Sequence, residues 1–469
     1  MSRLFASASK HRLDKLWPWL CAASVALSLL MLSALLTLLL VRGLGHFWPA
    51  TLEEITLRSG SVVAGQAIRE TPLPQEAGVE RLYFKGNRDV DGVSWHWVDI
   101  DDITSRTTPH DLIRLERAPW GSFIGRLAAV ETAQQSLHGR EAWDYLNNAL
   151  TLPANQRPPG QLLLVTAQGE TLRQPLDSVS QALAPNAMSW WQKTHTWGTN
   201  VWQFLSEGPR AANTSGGVWP AIFGTVLMVI LMSVIVTPFG VLAAIYLNEI
   251  AHQNRLTRLV RIGVRNLAGV PSIVYGVFGL GVFVYGIGGT LDSWFFSDTL
   301  PSPTFGTGGL LWASLTLALL TLPVVIVATE EGLARIPDAQ REGAVALGAT
   351  RLEMLTRIVL PMATPAMLTG VILAIARAAG EVAPLMLVGV AKLAPQMPVD
   401  GEFPYVHLER KFMHLGYHLF DTAFHGEDVQ AAMPLVYATA LLLVVIILVL
   451  NLTAIFLRHY FRRQRGSEC

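Results

Sequence analysis

Residues 342–381 read EGAVALGATRLEMLTRIVLPMATPAMLTGVILAIARAAGE, and the way this stretch changes character decides the fold. Its first half predicts two short water-facing helices. Pro337, just upstream, suits a first-turn position, Gly348 suits the left-handed residue past a helix end, and Thr350 to Glu353 spells a capping box. Pro361 predicts the end of the second helix, because it lacks a backbone donor and disfavours helical geometry at Leu360. The second half, from Pro365 to Val390, is apolar enough to span a bilayer yet carries Arg377 and Glu381. Eleven residues beyond Ala366, Arg377 would lie roughly 16 Å into a hydrocarbon core ~30 Å thick. A charge at that depth costs at least ~2.5 kcal/mol, so it is expected to face protein or water and to have a role. Glu381, one turn away, is the expected partner.

The rest of the chain has the composition such a helix needs. Of 469 residues 51% are hydrophobic and only 15% charged, which is the balance of an integral membrane protein. Net charge is zero and the basic residues are dispersed, which argues against a nucleic-acid partner. The two cysteines, Cys21 in an apolar run and Cys469, provide no disulfide framework.

Six segments are long and apolar enough to cross a bilayer: 16–41, 218–247, 267–290, 310–329, 365–390 and 433–457. Arginine and lysine gather before the first (Arg3, Lys10, Arg12, Lys15), between the second and third (Arg255, Arg258, Arg261, Arg265), between the fourth and fifth (Arg335, Arg341, Arg351, Arg357) and after the sixth. The positive-inside rule therefore predicts that these segments and both termini are cytoplasmic. The division expected is 1–42 as N-terminus and first membrane helix, 43–215 as an inserted extracytoplasmic domain, and 216–469 as a core of five further helices with a cytoplasmic loop at 330–362. The first apolar run is too long for a signal-peptide core and is read as an anchor.

Within the insert, Val93–Ile100, Leu112–Leu115 and Gln161–Thr166 predict strands, Gly169 a turn, and Glu131–Leu150 a helix, giving a small mixed domain with a break at Arg157-Pro158-Pro159-Gly160. Trp190, Trp191, Trp197, Trp202 and Trp219 suit a headgroup interface and ordinary core packing equally. In the third span, Pro271, Ser272 and repeated glycines fit close helix packing better than an unwound segment beside a pathway, although the second reading stays open.

The chain carries no G-x-x-x-x-G-K-[ST] cradle, so ATP hydrolysis would need another subunit, and no G-x-S-x-G nucleophile. His407, His414, His418 and His425 share a loop, with His414 and His418 at ligand-like spacing, but two histidines without the Glu of H-E-x-x-H favour a solvated or interfacial loop over a metal site. For Arg377 two readings stand: an ion pair that holds helices in register, or a guanidinium that handles an oxyanion through bidentate donors. Its depth favours the second.

The opening stretch resembles the EAA loop of binding-protein-dependent ABC importer permeases, E-A-A-x-x-x-G followed by I-x-L-P, here Glu342, Gly343, Ala344, Gly348, Ile358, Leu360 and Pro361, with Gly343 in place of the usual alanine. More narrowly, ARAAGEVAPL (376–385), NLAGVPSIVYGVFGL (266–280) and AIYLNE (244–249) resemble the A-type permease of the phosphate-specific (Pst) family. The resemblance covers about 218–457. It implies an all-α, six-helix type I permease carrying an inserted mixed α/β domain. It also implies a non-enzymatic transport subunit in a bacterial inner membrane that imports inorganic phosphate. Expected partners are a pair of ATPase subunits, which would hold the ATP and Mg²⁺, a C-type permease and a periplasmic phosphate-binding protein; no cofactor is expected on this chain. It further implies that Arg377 and Glu381 line the phosphate path and that the 342–361 residues dock on the ATPase. The insert departs from shorter members. Alternatives are another oxyanion, such as sulfate, molybdate or phosphonate, or a membrane-anchored periplasmic sensor.

Overall fold

The computed structural model describes residues 2–466 apart from 73–77, 119, 133–134, 211–214, 395 and 426–428; Cys469 lies outside them. The chain forms two compact units, Met1–Gly217 with Gly426–Leu435, and Val218–His425 with Val436–Cys469. Six helices are long and apolar enough to cross a membrane: Trp17–Gly45, Trp219–Ile250, Ser272–Phe295, Leu310–Ala334, Arg351–Gly380 and Ala432–Tyr460, hereafter spans one to six.

In the first unit, span one is followed by the strands β1 Glu53–Leu57, β2 Val62–Pro72, β3 Val79–Phe84, β4 Trp95–Asp99, β5 Ile103–Thr107, β6 Ile113–Arg117, β7 Gly121–Thr132, β8 Ser136–His138, β9 Gly160–Val165, β10 Thr171–Pro175 and β11 Val179–Leu183, and by a short pair, Pro209–Arg210 with Ser215–Gly216. Strands β1 to β11 pair into sheets of order β4-β3-β2-β1-β5 and β10-β9-β7-β6-β11, with β8 beside β7. On the second sheet lies a helix, Gly139–Leu150, whose Ala142, Leu146 and Ala149 share one face and meet Leu115, Phe123, Val130, Leu162 and Leu164. The mixed domain is as expected, but its helix begins at Gly139 and not at Glu131. Glu131 and Thr132 end β7, a central strand paired with β6, β8 and β9. A register shift between Leu127 and Ala129 breaks the period-two alternation that would have revealed it. One charge pair is buried here: Arg117, with no side-chain exposure, donates Nη1 and Nη2 to the two oxygens of Asp89 at 2.7 Å each. Of the five tryptophans, Trp190, Trp191, Trp202 and Trp219 are exposed, which favours the interfacial reading. Trp197 instead donates Nε1 to Leu44 O at 2.9 Å.

The second unit is built on close helix contacts. Spans two and four approach at Gly240, where a Cβ would stand 2.7 Å from Val325 Cγ1. Spans four and five run antiparallel: a Cβ on Gly332 would meet Ala366 Cβ at 2.3 Å, and one on Gly370 would meet Ala328 Cβ at 2.8 Å. Small residues at such positions let helices approach to near-backbone distance. Two expectations for span five need correction. Pro361 does not stop the helix, which runs unbroken from Arg351 to Gly380. A wide π turn at Leu355–Val359 precedes it, with Leu360 N bonded to Leu355 O, so the missing donor of Pro361 falls where the hydrogen-bond pattern is already changing. The helix also ends before Val390: Glu381 is extended at φ −80°, ψ 129°, and a separate turn of helix, Ala383–Val388, follows.

Of the four histidines expected in a solvated or interfacial loop, His425 is exposed but the other three are buried. His407 lies between Asp400 Oδ1 (3.0 Å) and Glu409 Oε1 (3.2 Å), while His414 and His418 are buried around the helix Leu415–Phe424. Burial pushes both imidazoles down to about 4, so they are neutral near pH 7.

Two predictions follow from these buried groups. Arg117→Ala strands the Asp89 carboxylate and is expected to cost about 3–5 kcal/mol, while adding Asp89→Ala recovers part of it; thermal unfolding of the full chain in detergent measures both. Between the unfolded imidazole value near 6.5 and the folded value near 4, the unfolded chain binds more protons, so stability is complete above about pH 6.5 and falls as pH drops toward about 4. His418→Leu flattens that acid limb of the melting profile.

Candidate functional site

Two helix interruptions meet in the second unit. Ahead of span three runs a shorter amphipathic helix, Arg255–Leu267, and the two are separated at Ala268–Pro271, so the chain there is discontinuous. Pro271 explains the restart, since it opens the next helix where no donor is needed. Tyr275, in the first turns of span three, is buried and donates its hydroxyl to Leu267 O at 2.7 Å, bracing the end of the preceding helix. Opposite it is the interruption after span five. A Cβ on Gly276 would stand 2.7 Å from Pro384 Cα, and Tyr275 shares a core with Ala374, Ala378, Ala379 and Leu385. Small-residue packing and a broken helix are therefore both present, and the packing is what brings the two breaks together.

Arg377 and Glu381 sit on either side of the second break. Arg377 occupies the last turn of span five, and its Nε lies 3.5 Å from Glu381 Oε1. Both side chains are part-exposed, at 32% and 22%, so this is no sealed core ion pair. Among the described residues the guanidinium has no second partner, which leaves its terminal N–H groups free for an oxyanion in bidentate geometry. The antiparallel register set by Gly332 with Ala366 and Gly370 with Ala328 carries Arg377 level with Thr321, close to the middle of span four.

The residues from Pro337 to Pro361, the short helix, turn and first turns of span five that form a knob at its end, are placed as a unit. The helix Asp338–Ala346 follows Pro337, Gly348 adopts φ +87°, and the capping box closes with Thr350 Oγ1 accepting from Glu353 N. Ala344 is buried against Leu333, Ile336, Met354 and Val359, whereas Glu342 and Gly343 are exposed. Ile358, Leu360 and Pro361 are partly buried at the base. Leu347 is 91% exposed and Leu352 70%, so the tip presents large apolar side chains.

Sequence reasoning missed what fastens the knob. Arg341 donates Nη2 to Glu249 Oε1 (2.9 Å) and Leu333 O (2.9 Å), Nη1 to Ile336 O (2.6 Å) and Asp338 Oδ1 (3.1 Å), and Nε to Glu249 Oε2 (3.3 Å). The Glu249 carboxylate hydrogen-bonded to it holds the guanidinium above its ordinary pKa. Glu249 belongs to a π turn, Tyr246–Ile250, at the end of span two. A second pair, Arg261 with Glu330 at 3.1 Å, ties the amphipathic helix to span four, and Arg261 Nη2 also reaches Leu247 O at 3.1 Å. The signal was available: Glu249 lies in the AIYLNE motif, and a carboxylate at the end of an apolar span asks for a partner. No group of three metal-ligating side chains occurs among the described residues.

Residues 236–466 match the family described as the binding-protein-dependent transport system inner membrane component. The phosphate transport system permease protein PstA 1 of Mycobacterium tuberculosis is 31% identical over 265 residues, covering 56% of this chain and 78% of that protein. PstA of Yersinia pestis is 31% identical over 263 residues, covering 55% of this chain and 76% of its own. A probable ABC transporter permease protein, YqgH of Bacillus subtilis, is 34% identical over 198 residues, covering 42% of this chain and 60% of that one. Matched along 236–466 and 31% identical to permeases of which it covers more than three quarters, this chain belongs to the binding-protein-dependent transport system inner membrane components, among the PstA-type permeases.

Proposed function

We propose that this chain is the A-type permease subunit of an ATP-driven importer that moves inorganic phosphate from periplasm to cytoplasm. The observation that carries the reading is Arg377: a part-exposed guanidinium with free N–H groups, level with the middle of span four, where two helices are interrupted side by side. Bidentate donors match a tetrahedral oxyanion, and discontinuous helices bordering a charged group are how other transporters build a passage. The names of the PstA relatives favour phosphate over sulfate, molybdate or phosphonate, which share the same geometry.

In this reading the chain is multi-pass in the inner membrane with both termini cytoplasmic, and the insert of 43–215 faces the periplasm. The knob docks on a separate ATPase, which holds ATP and Mg²⁺ while this chain carries no cofactor. Leu347 and Leu352 enter the ATPase surface and Glu342 sets the register. Arg341 makes span two move with the knob, because its hydrogen bonds reach both Glu249 and the carbonyls at the end of span four. A C-type permease supplies the other half of the passage, and a periplasmic binding protein delivers the anion. A membrane-anchored sensor would need neither the mid-depth arginine nor a fastened knob.

The test is uptake of radiolabelled phosphate into ATP-loaded proteoliposomes holding the full complex, with competing oxyanions. Arg377→Gln lowers ATP-driven uptake at least about tenfold, the loss of one charge-assisted contact of ~1.5–3 kcal/mol, without preventing assembly. Unchanged uptake would remove Arg377 from the pathway. Glu342→Lys is expected to lower co-purification of the ATPase and uptake together, with the fold of the membrane unit intact by thermal unfolding. Arg341→Met leaves the ATPase bound and hydrolysing but cuts the phosphate moved per ATP; an unaltered ratio would show that the clamp does not transmit motion.

A further inference from the structure

At the knob end of the second unit, spans four, five and six border an open cleft of about 450 Å³ that the transport reading does not use. Its walls are Arg335 and Pro337 beyond span four, Met362, Pro365 and Thr369 on span five, and Arg458 with His459 on span six. No carboxylate lines it. Among the described residues the Arg335 side chain has no hydrogen-bond or ion-pair partner, and the Arg458 side chain has only a neutral one, Thr369 Oγ1 at 3.0 Å. Two other arginines near the knob are ion-paired, Arg261 with Glu330 and Arg341 with Glu249 and Asp338.

A lone cation at the end of a helix is ordinary, since it meets the negative end of the helix dipole, and that accounts for Arg335 taken singly. It does not account for a second guanidinium and an imidazole arriving at the same cleft from span six. Two guanidiniums with free donors, and no acid between them, form a site for a phosphate oxyanion. The opposite wall is apolar and opens outward, with Met362 46% exposed, which suits the glycerol and first methylenes of an acyl chain. Basic pockets between membrane helices at the cytoplasmic face are where anionic headgroups are held.

We infer that this cleft binds a phosphate-bearing anion, and that the form filling it is the headgroup of an anionic phospholipid such as phosphatidylglycerol. Pro337 and Ile336 line the cleft, and Ile336 O accepts from Arg341, so an occupant touches the segment that fastens the knob. Occupancy would therefore stiffen the base of the knob against the membrane helices. The site is separate from Arg377 and does not depend on what Arg377 carries.

The experiment uses the full complex in nanodiscs of phosphatidylcholine with and without phosphatidylglycerol, comparing the natural sequence with an Arg335→Gln, Arg458→Gln double variant and with the matching double Lys variant. Bound lipid is read by mass spectrometry after mild detergent exchange. The expected result is retention of phosphatidylglycerol over phosphatidylcholine that falls about thirtyfold in the double Gln variant, at roughly 1 kcal/mol for each of the two arginines, and largely survives in the Lys variant. Raising salt should release the lipid from the natural complex, a readout that stands even if the Gln variant fails to assemble. If inorganic phosphate at millimolar level displaces the lipid and protects Arg335 from guanidine-directed modification, the same anion chemistry holds with free phosphate as a second occupant. Equal retention of the two lipids, or retention insensitive both to salt and to the double Gln change, would overturn the assignment.

Discussion

Spans two, four and five pass one another through glycines, and the geometry of the membrane unit depends on those close approaches. Gly240, Gly332 and Gly370 each face a neighbour that a β-carbon would strike. In lipid the hydrophobic effect does little to draw helices together, so small residues that let backbones meet are the main source of attraction and of register. Register in turn sets depth. Because Gly332 meets Ala366 and Gly370 meets Ala328, Arg377 has little freedom to lie anywhere but level with the middle of span four.

The same register fixes where motion can enter. Span five runs continuously from the capping box at Thr350 to the break at Glu381, so a displacement at its knob end is carried along a single helix to Arg377. Span two joins through Arg341 and Glu249, and the amphipathic helix joins span four through Arg261 and Glu330. These pairs are largely buried, with Glu249 and Glu330 at 8% side-chain exposure, and they are reinforced by backbone carbonyls. They act as fixed joints; surface ion pairs, screened and mobile, could not.

Much of this was legible in the sequence, for physical reasons. Six spans announce themselves because lipid demands about twenty apolar residues in a row, and the knob because Gly348 and the Thr350–Glu353 box are local devices. What escaped was non-local. Pro361 looked like a stop, and a π turn absorbed it. Span five looked ten residues longer toward Val390, since nothing in an apolar run marks Glu381 as extended. His414 and His418 looked solvated or interfacial because only tertiary packing buries them, and β7 was hidden by its own bulge. Arg377 was found by its charge in an apolar run, while its neighbour Tyr275, equally central, carries no such mark.

The break at Glu381 has an electrical side as well. A helix ending there directs unpaired carbonyls at the site, the equivalent of about half a negative charge. That end and the Glu381 carboxylate both bear on the Arg377 guanidinium, the carboxylate through a contact of 3.5 Å. If Arg377 carries an anion as proposed, an arriving anion would compete with both for the same N–H donors, and that competition would keep binding weak enough for release.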